Sequence, residues 1–516
     1  MTGLRKSVAQ CGWGSLRSWH KCRRLPSSRC INPDGKTNEF GGVVEERRFS
    51  AAERTQSRGA SAPVVEFTRR LRVGVHLNVC ELMVPQGAIM KNNDRFLVLS
   101  TLCTIAILVF VLAGKALADD RRDDSGSKEA KTLYVWAGDQ ARAAPDFLAV
   151  IDFDEDSKDY GKVVGTVPIP PPGNVSNEAH HCHLSADKKI LGCGGLLSLL
   201  RGQNGIFFFD VSNARHPRFL FSATTSHSSI TDDFLPLKNG GFLITQMGSE
   251  AGGEPGRVAE FDKNLRLVNE WPLHPPTQGF NPHGISARPE LNLMVTSDFM
   301  MPASSLNIVP GDPLLRGAIR AWDLEERRIV RTIQLPDAIG TMDVKLIPGD
   351  PGRRAFTTGM FDGFVYLVNT MDGSYSAVFD CEDIVPHVEV PVRGGMTQLL
   401  AMPRSGDRLL FASFQAGQVG MLNVSDPEAP FQNGIVNLGL DAGPHAIALT
   451  DDDKRLVVTD YFLNEDDFGK IHFEGDHKVR VIKVYRNHLE LDTRFNLDFN
   501  TAFSTGPARP HGVAMK

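Results

Sequence analysis

The sequence predicts an all-β chain: a seven-bladed β-propeller whose N- and C-terminal strands share the closing blade. Three observations predict it. A short motif carrying His or Met recurs seven times, marked by His181, His227, His283, Met342, Met396, His445 and His511, at spacings of 46, 56, 59, 54, 49 and 66 residues. Self-similarity at periods in this range is the signature of propellers, solenoids or arrays. A second marker, an apolar strand that usually ends in Asp or Asn, also counts to seven. Finally, the last unit, Arg509-Pro-His511-Gly-Val-Ala, provides only a first strand, while a second and a third strand stand unclaimed near residue 132. Closing a ring in this way removes exposed sheet edges.

Each unit reads as four short strands. The first follows the marker, as in His445-Ala-Ile-Ala-Leu449. A polar turn such as Asp451-Asp-Asp-Lys454 comes next. The second strand is apolar and β-branched, as in Gly241-Phe-Leu-Ile-Thr245, Leu291-Asn-Leu-Met-Val-Thr296 and Arg455-Leu-Val-Val-Thr459. The third strands are 147–152, 206–210, 258–262, 319–323, 364–369, 419–423 and 479–483. A more variable outer strand follows, for example Arg328-Ile-Val-Arg-Thr-Ile333. The matching second strand of the closing blade is Thr132-Leu-Tyr-Val-Trp136.

The propeller is expected over residues 131–516. Upstream, Met90-Lys-Asn-Asn-Asp-Arg95 is a charged start, 96–113 is strongly apolar, and Ala116-Leu-Ala118 precedes Asp119-Asp120. That layout is a signal peptide over 90–118, with an uncleaved membrane anchor as its alternative. Residues 119–130 read as a flexible spacer. Residues 1–89 are Arg-rich and lack strand or helix periodicity. They are expected to be a non-native or disordered upstream extension, with Met90 as the start. The expected location is the periplasm or the medium, or the outer side of a membrane if the apolar segment stays in place.

Charge divides the same way. Residues 1–118 hold 18 of the 56 Lys+Arg and 8 of the 61 Asp+Glu, so the remainder carries a balance of −15. An acidic domain is a poor partner for nucleic acid. Five of the eight cysteines precede residue 119, leaving Cys182, Cys193 and Cys381. These are too few for a disulfide framework. There is no Gly-x-Ser-x-Gly elbow and no phosphate-binding Walker loop.

In a propeller the first strands line the central channel, so the marker positions converge. The metal-ligand candidates are His180, His181, His227, His283, His445 and His511. His180 and His181 are neighbours in one strand, so only one is expected to face the axis. Met342 and Met396 occupy the slot in two blades, where ligation and core filling are both open readings. Cys182 is open as ligand, reactive thiol or partner of Cys193. Asp139, Asp298 and Asp460, at the ends of second strands, are the expected orienters of the imidazoles. Imidazole with thioether favours copper, with other transition metals open.

The chain resembles the selenium-binding protein family, whose bacterial and animal members include methanethiol oxidases. The resemblance rests on Ala144-Pro-Asp146-Phe-Leu-Ala-Val-Ile-Asp152, Glu178-Ala-His-His181, Thr225-Ser-His227, Val424-Ser-Asp-Pro427 and Asp453-Lys-Arg-Leu-Val-Val458. It implies a copper-dependent oxidase that turns methanethiol and dioxygen into formaldehyde, hydrogen sulfide and hydrogen peroxide. It carries over His181, His227 and His511 as ligands; the repeat argument adds His283 and His445. The family's Cys-rich segment is here Ile190-Leu-Gly-Cys-Gly-Gly195, with one cysteine, which puts selenium binding in doubt. The competing classes are a lactonase-type propeller hydrolase, which would use a hard metal held by carboxylates, and a non-enzymatic propeller that binds a metal or a partner.

Overall fold

The structure is a computed structural model that describes residues 129–170, 175–384, 392–466 and 468–516. The upstream extension, the signal segment and nearly all of the spacer lie outside the described residues. Glu129 and Ala130, assigned to the spacer by sequence, are described, and Ala130 is buried, its carbonyl accepting from Arg455. No helix among the described residues is long and apolar enough to cross a membrane.

Seven antiparallel sheets form the ring. The chain enters through β1–β3 (Thr132–Asp139, Phe147–Asp152, Val163–Pro168). The next blade is β4–β7 (Ala179–Leu184, Ile190–Gly195, Ile206–Asp210, Arg218–Ala223), with the one-turn helix α1 (Ser198–Arg201) between β5 and β6. There follow β8–β11 (Ser228–Pro236, Phe242–Ser249, Arg257–Phe261, Leu267–Trp271) and β12–β15 (Pro282–Arg288, Leu293–Met300, Leu315–Asp323, Arg328–Gln334), the latter with α2 (Pro302–Ser305). Two more blades are β16–β19 (Thr341–Leu346, Arg354–Gly359, Phe364–Asn369, Tyr375–Asp380) and β20–β23 (Thr397–Ala401, Arg408–Ser413, Gln418–Asn423, Phe431–Asn437). The seventh uses β24 (Ala446–Leu449), β25 (Arg455–Thr459), β28 (Lys478–Val484), β29 (Leu489–Leu491) and β30 (Leu497–Asp498), and extrudes a small hairpin, β26–β27 (Leu463–Asn464, His472–Phe473). Finally β31 (Ala508–Met515) pairs with β1, placing Leu133 opposite Met515. Each inner strand touches the next around the ring, and β24 touches β31, so the circle is closed.

Burial follows position in the blade. Second strands β13, β21 and β25 are buried at every residue because both faces meet a neighbouring sheet. The outer strand β3 alternates between half-buried and exposed, since one face meets water. Between blades the contact is aromatic and aliphatic: Trp136 and Leu148 pack on Leu191, Phe207 and Phe209. The Trp136 indole N–H donates to the Gly194 carbonyl at 2.8 Å, so its polar atom is satisfied as well.

One irregularity recurs and positions the site. In six inner strands the register slips so that two residues oppose one on the second strand. The doubled positions are 180/181, 232/233, 283/284, 342/343, 398/399 and 511/512. Such bulges twist a strand and re-aim its side chains. A hydroxyl on the second strand then locks the slot of the following blade. Thr245, Ser297, Thr358 and Thr459 donate to the carbonyls of His283, Met342, Gln398 and His511 at 2.6, 2.8, 2.7 and 2.8 Å. Gly284 and Gly512 fill the second bulge position where a Cβ would strike Asp343 and the His180 carbonyl oxygen, respectively. That is the physical reason for the Pro-His-Gly signature.

Candidate metal centre

The bulges bring His180, His181, His283 and His511 together on the axis, and His445, just ahead of the regular strand β24, joins them. Four of them are at most 2 % exposed, and His181 is 8 % exposed. Ring centroids lie 4.3 Å apart for His180 and His181, 4.3 Å for His180 and His511, 4.7 Å for His445 and His511, and 5.7 Å for His181 and His283. Asp232, fully buried, sits among them. His180 Nε2 donates to its Oδ2 at 3.1 Å, His181 Nδ1 to its Oδ1 at 3.1 Å, and His283 Nε2 lies 3.3 Å from Oδ2. His445 Nδ1 donates to Gln398 Oε1 at 2.6 Å, and His445 Nε2 stands 3.1 Å from His511 Nε2.

These partners decide which ring nitrogens are left bare. A nitrogen that donates to a carboxylate carries the proton, so the other nitrogen of a neutral ring holds a lone pair. The bare atoms are His180 Nδ1, His181 Nε2, His283 Nδ1 and His511 Nδ1, all buried and without a hydrogen-bond partner among the described residues. Buried polar atoms are almost always satisfied, so four orphaned lone pairs at one place call for an electrophile. Two ligand groups could hold an ion: His180, His181 and His511, and His180, Asp232 and His283, each with ligand atoms within 4.8 Å of one another. Imidazole with one carboxylate is a borderline donor set, suited to a transition metal.

The electrostatics keep the rings ready to ligate. Burial, with repulsion between neighbouring rings, lowers the pKa of His180, His445 and His511, and burial holds His283 at about 4. His181 is the exception: burial would lower its pKa, but Asp232, with Asp233 and Asp343 behind it, carries it upward. Burial likewise opposes ionisation of Asp232, yet the three surrounding imidazoles pull its pKa well below the usual carboxylate value. A carboxylate so placed orients its imidazoles and sharpens their basicity.

The cluster plugs the channel and separates two compartments. Where inner strands end, a funnel of about 900 Å³ opens, lined by His181, Asp233, Asp343, Lys345 and Cys182 among others. Burial would lower the Lys345 pKa, but Asp343, 2.9 Å away, and Asp233 raise it. Where inner strands begin, a cavity of about 30 Å³ lies against His180 and His283 under an apolar roof.

The profile of the 56-kDa selenium-binding protein (SBP56) family matches residues 121–516. The chain belongs to the selenium-binding protein family. Within this family, it is 25% identical over 413 residues to a methanethiol oxidase of Ruegeria pomeroyi, covering 73% of this chain and 88% of that one. It is 22% identical over 427 residues to the Homo sapiens methanethiol oxidase, covering 71% and 89%. The crystal structure of a hypothetical selenium-binding protein from Sulfolobus tokodaii superposes with a TM-score of 0.63 at 18% identity, covering 76% and 94%.

Against the family motifs, His181 and His511 stand in the cluster, as do His180, His283 and His445. His227 does not: it is exposed, and its backbone N–H, with that of Ser226, donates to Glu270 at 2.9 and 2.7 Å. The Thr-Ser-His motif is a turn clasped by Glu270, and the residue of that blade that reaches the axis is Asp232. The expectation that only one of His180 and His181 faces the axis also fails, because the bulge turns both toward Asp232. Met342 and Met396 are fully buried in an apolar cluster with Leu196, Met247 and Phe299, and Gln398 holds the slot assigned to Met396. Cys182 faces Cys193 across β4 and β5; both are free thiols, burial pushes Cys193 up, and neither belongs to a metal-capable group among the described residues.

The three expected orienters act elsewhere. Asp139 caps the turn at Ala143 and Ala144. Asp298 pairs with Arg320 at 2.6 Å, and burial lifts it to about 6. Asp460 pairs with Arg480. His477, outside the cluster, is buried with its ring 5.3 Å from that of Tyr461. Sequence reasoning also missed Asp232, Gln398 and the clamp in which Glu178 accepts from Tyr461 and from Arg509 at 2.9 Å. A signal for the first two exists: Thr231-Asp232-Asp233, Thr341-Met342-Asp343 and Thr397-Gln398-Leu399 each place a buried Thr just before the slot.

Proposed function

We propose that the protein is an exported, copper-dependent oxidase that converts a small thiol and dioxygen into an aldehyde, hydrogen sulfide and hydrogen peroxide. The observation that carries the reading is the set of four bare, buried imidazole nitrogens, three of them on rings oriented by Asp232 and the fourth on His511 beside His445. The relatives named methanethiol oxidase supply the reaction class. The sum balances with water: one methanethiol, one dioxygen and one water give one formaldehyde, one hydrogen sulfide and one hydrogen peroxide.

His180, His181, His283 and His511 would hold the metal, with His445 beside them. Copper, when bound, supplies the redox chemistry and a Lewis-acidic partner for thiolate. The chain's own residues do the rest. Asp232 fixes three rings and neutralises part of the charge. Gln398 fixes His445. Phe299 and Phe462, with centroids 5.0 and 4.5 Å from the His283 and His445 rings, exclude water from one side. His181 stands on the funnel side of the cluster, where Asp232 holds its Nδ1–H and so leaves Nε2 free to ligate.

Metal analysis of protein purified from the export compartment, joined to an assay of methanethiol loss with peroxide formation, tests the reading. Near-stoichiometric copper with turnover is expected. Calcium in its place, or turnover in copper-stripped protein, overturns it. Export itself rests on the charged start, the apolar run and Ala116-Leu-Ala118. Sequencing the mature N-terminus should give Asp119; a native peptide from residues 1–89 would count against it.

A further inference from the structure

The two compartments flanking the histidine cluster differ in kind. The funnel is wide and lined by both signs of charge. The opposite cavity is walled by Met247, Met300, Met360 and Phe299, and the groups on its lining able to bind a proton or an ion are His180, His283 and Glu465. Burial pushes Glu465 up to about 7, so near neutral pH much of this wall carries no charge. The roof is built from two segments far apart in sequence. Leu306 follows α2, and Ile471 leads into the second strand of the β26–β27 hairpin. Lys470 binds them together: its backbone N–H donates to Ser305 at 2.7 Å, and its ammonium group to Ser304 at 2.8 Å and to Gly311.

Size sets the occupant. A water molecule needs roughly 10–15 Å³ of such space, so the 30 Å³ here holds two or three heavy atoms. Thioether and aromatic walls favour a polarizable, apolar guest. We propose that this roofed chamber, rather than the funnel, is the substrate subsite, and that it admits a thiol of one or two carbons with its alkyl group on the methionine wall and its sulfur toward His180 and His283. The inference rests on the oxidase reading for its reaction and on the chamber for its selectivity.

Two measurements test it. The first reads binding in metal-free protein, with methyl-labelled methionines followed by NMR as methanethiol is added under argon. The resonances of Met247, Met300 and Met360 should move, while those of Met402 and Met515, which line the funnel, stay. Shifts at Met402 and Met515 alone, or no shifts at all, overturn the proposal. The second reads selectivity in the copper-loaded protein. Activity (kcat/KM) should fall about tenfold or more for each carbon beyond two, the penalty of one excess methylene in a closed pocket. Leu306→Ala should recover 1-propanethiol by about tenfold, whereas Met402→Ala in the funnel should leave the profile unchanged. A length profile that follows the funnel variant instead sinks the idea. Methionine shifts without turnover of any thiol would sink the oxidase reading alone and leave the chamber standing.

Discussion

The chamber and the funnel share a wall of imidazoles yet are built from different chemistry. His180 faces the chamber and His181, one residue later, faces the funnel. In a regular strand this would be ordinary alternation, with one of the two pointing into the blade. Here a bulge keeps both on the axis and makes a single dipeptide serve two spaces. The same device puts Asp232 between the rings while Asp233 faces the funnel. A propeller channel, continuous in outline, becomes two environments of unlike polarity separated by one layer of side chains.

The largest expected effect breaks that layer. His181→Ala should abolish both copper retention and turnover, whereas His227→Ala, altering an exposed turn, should leave both within about twofold, as surface substitutions do. Equal losses from the two would return the Thr-Ser-His motif to the site. Next comes Asp232→Asn, which keeps the shape but removes the charge shared by three rings. Copper affinity measured by chelator competition should drop about 10–100-fold; an unchanged affinity would make the carboxylate a spectator.

A smaller effect separates the two faces by pH. The Glu465 pKa is raised from 4.5 to about 7, so the folded chain keeps a proton that the unfolded chain releases between those values. Stability therefore declines as pH rises through that window. Glu465→Gln should raise thermal stability at pH 8 by at most about 3 kcal/mol and have little effect at pH 4. A gain that is the same at both pH values would refute the titration. Smallest of all, Lys188→Ala, which removes the ion pair to Asp451 at the funnel rim, should change unfolding free energy by less than about 1 kcal/mol; a larger loss in denaturant titration would mean that the rim is structural.

Much of the blade framework was legible. The strands Phe147–Asp152, Ile206–Asp210 and Phe364–Asn369 match the sequence reading residue for residue, because an apolar run between turn residues has few other ways to be buried. Four of five marker blades with histidine also brought that histidine to the axis. The failure at His227 has a physical cause. The bulge adds a residue to six of the seven inner strands, β8 among them, and the loop before β8 is long enough to put a histidine five positions ahead of the true slot. Chemistry bias misled as well: a search for imidazole and thioether passes over Asp232 and Gln398, which do not resemble the residues at equivalent points in other blades. The orienting role was sought at the ends of second strands, where Asp298 and Asp460 instead neutralise arginines on the third.

The clasp between β31 and β1 makes one last demand on this design. His511 arrives on the strand that shuts the ring, and Arg509 beside it grips Glu178, 331 residues earlier in the chain. An ion seated on His180, His181 and His511 would therefore rivet the seam, adding its binding free energy to the resistance of the circle against springing open. Loading with metal and resisting unzipping at the join would then be a single property, seen as a melting temperature that climbs with free copper.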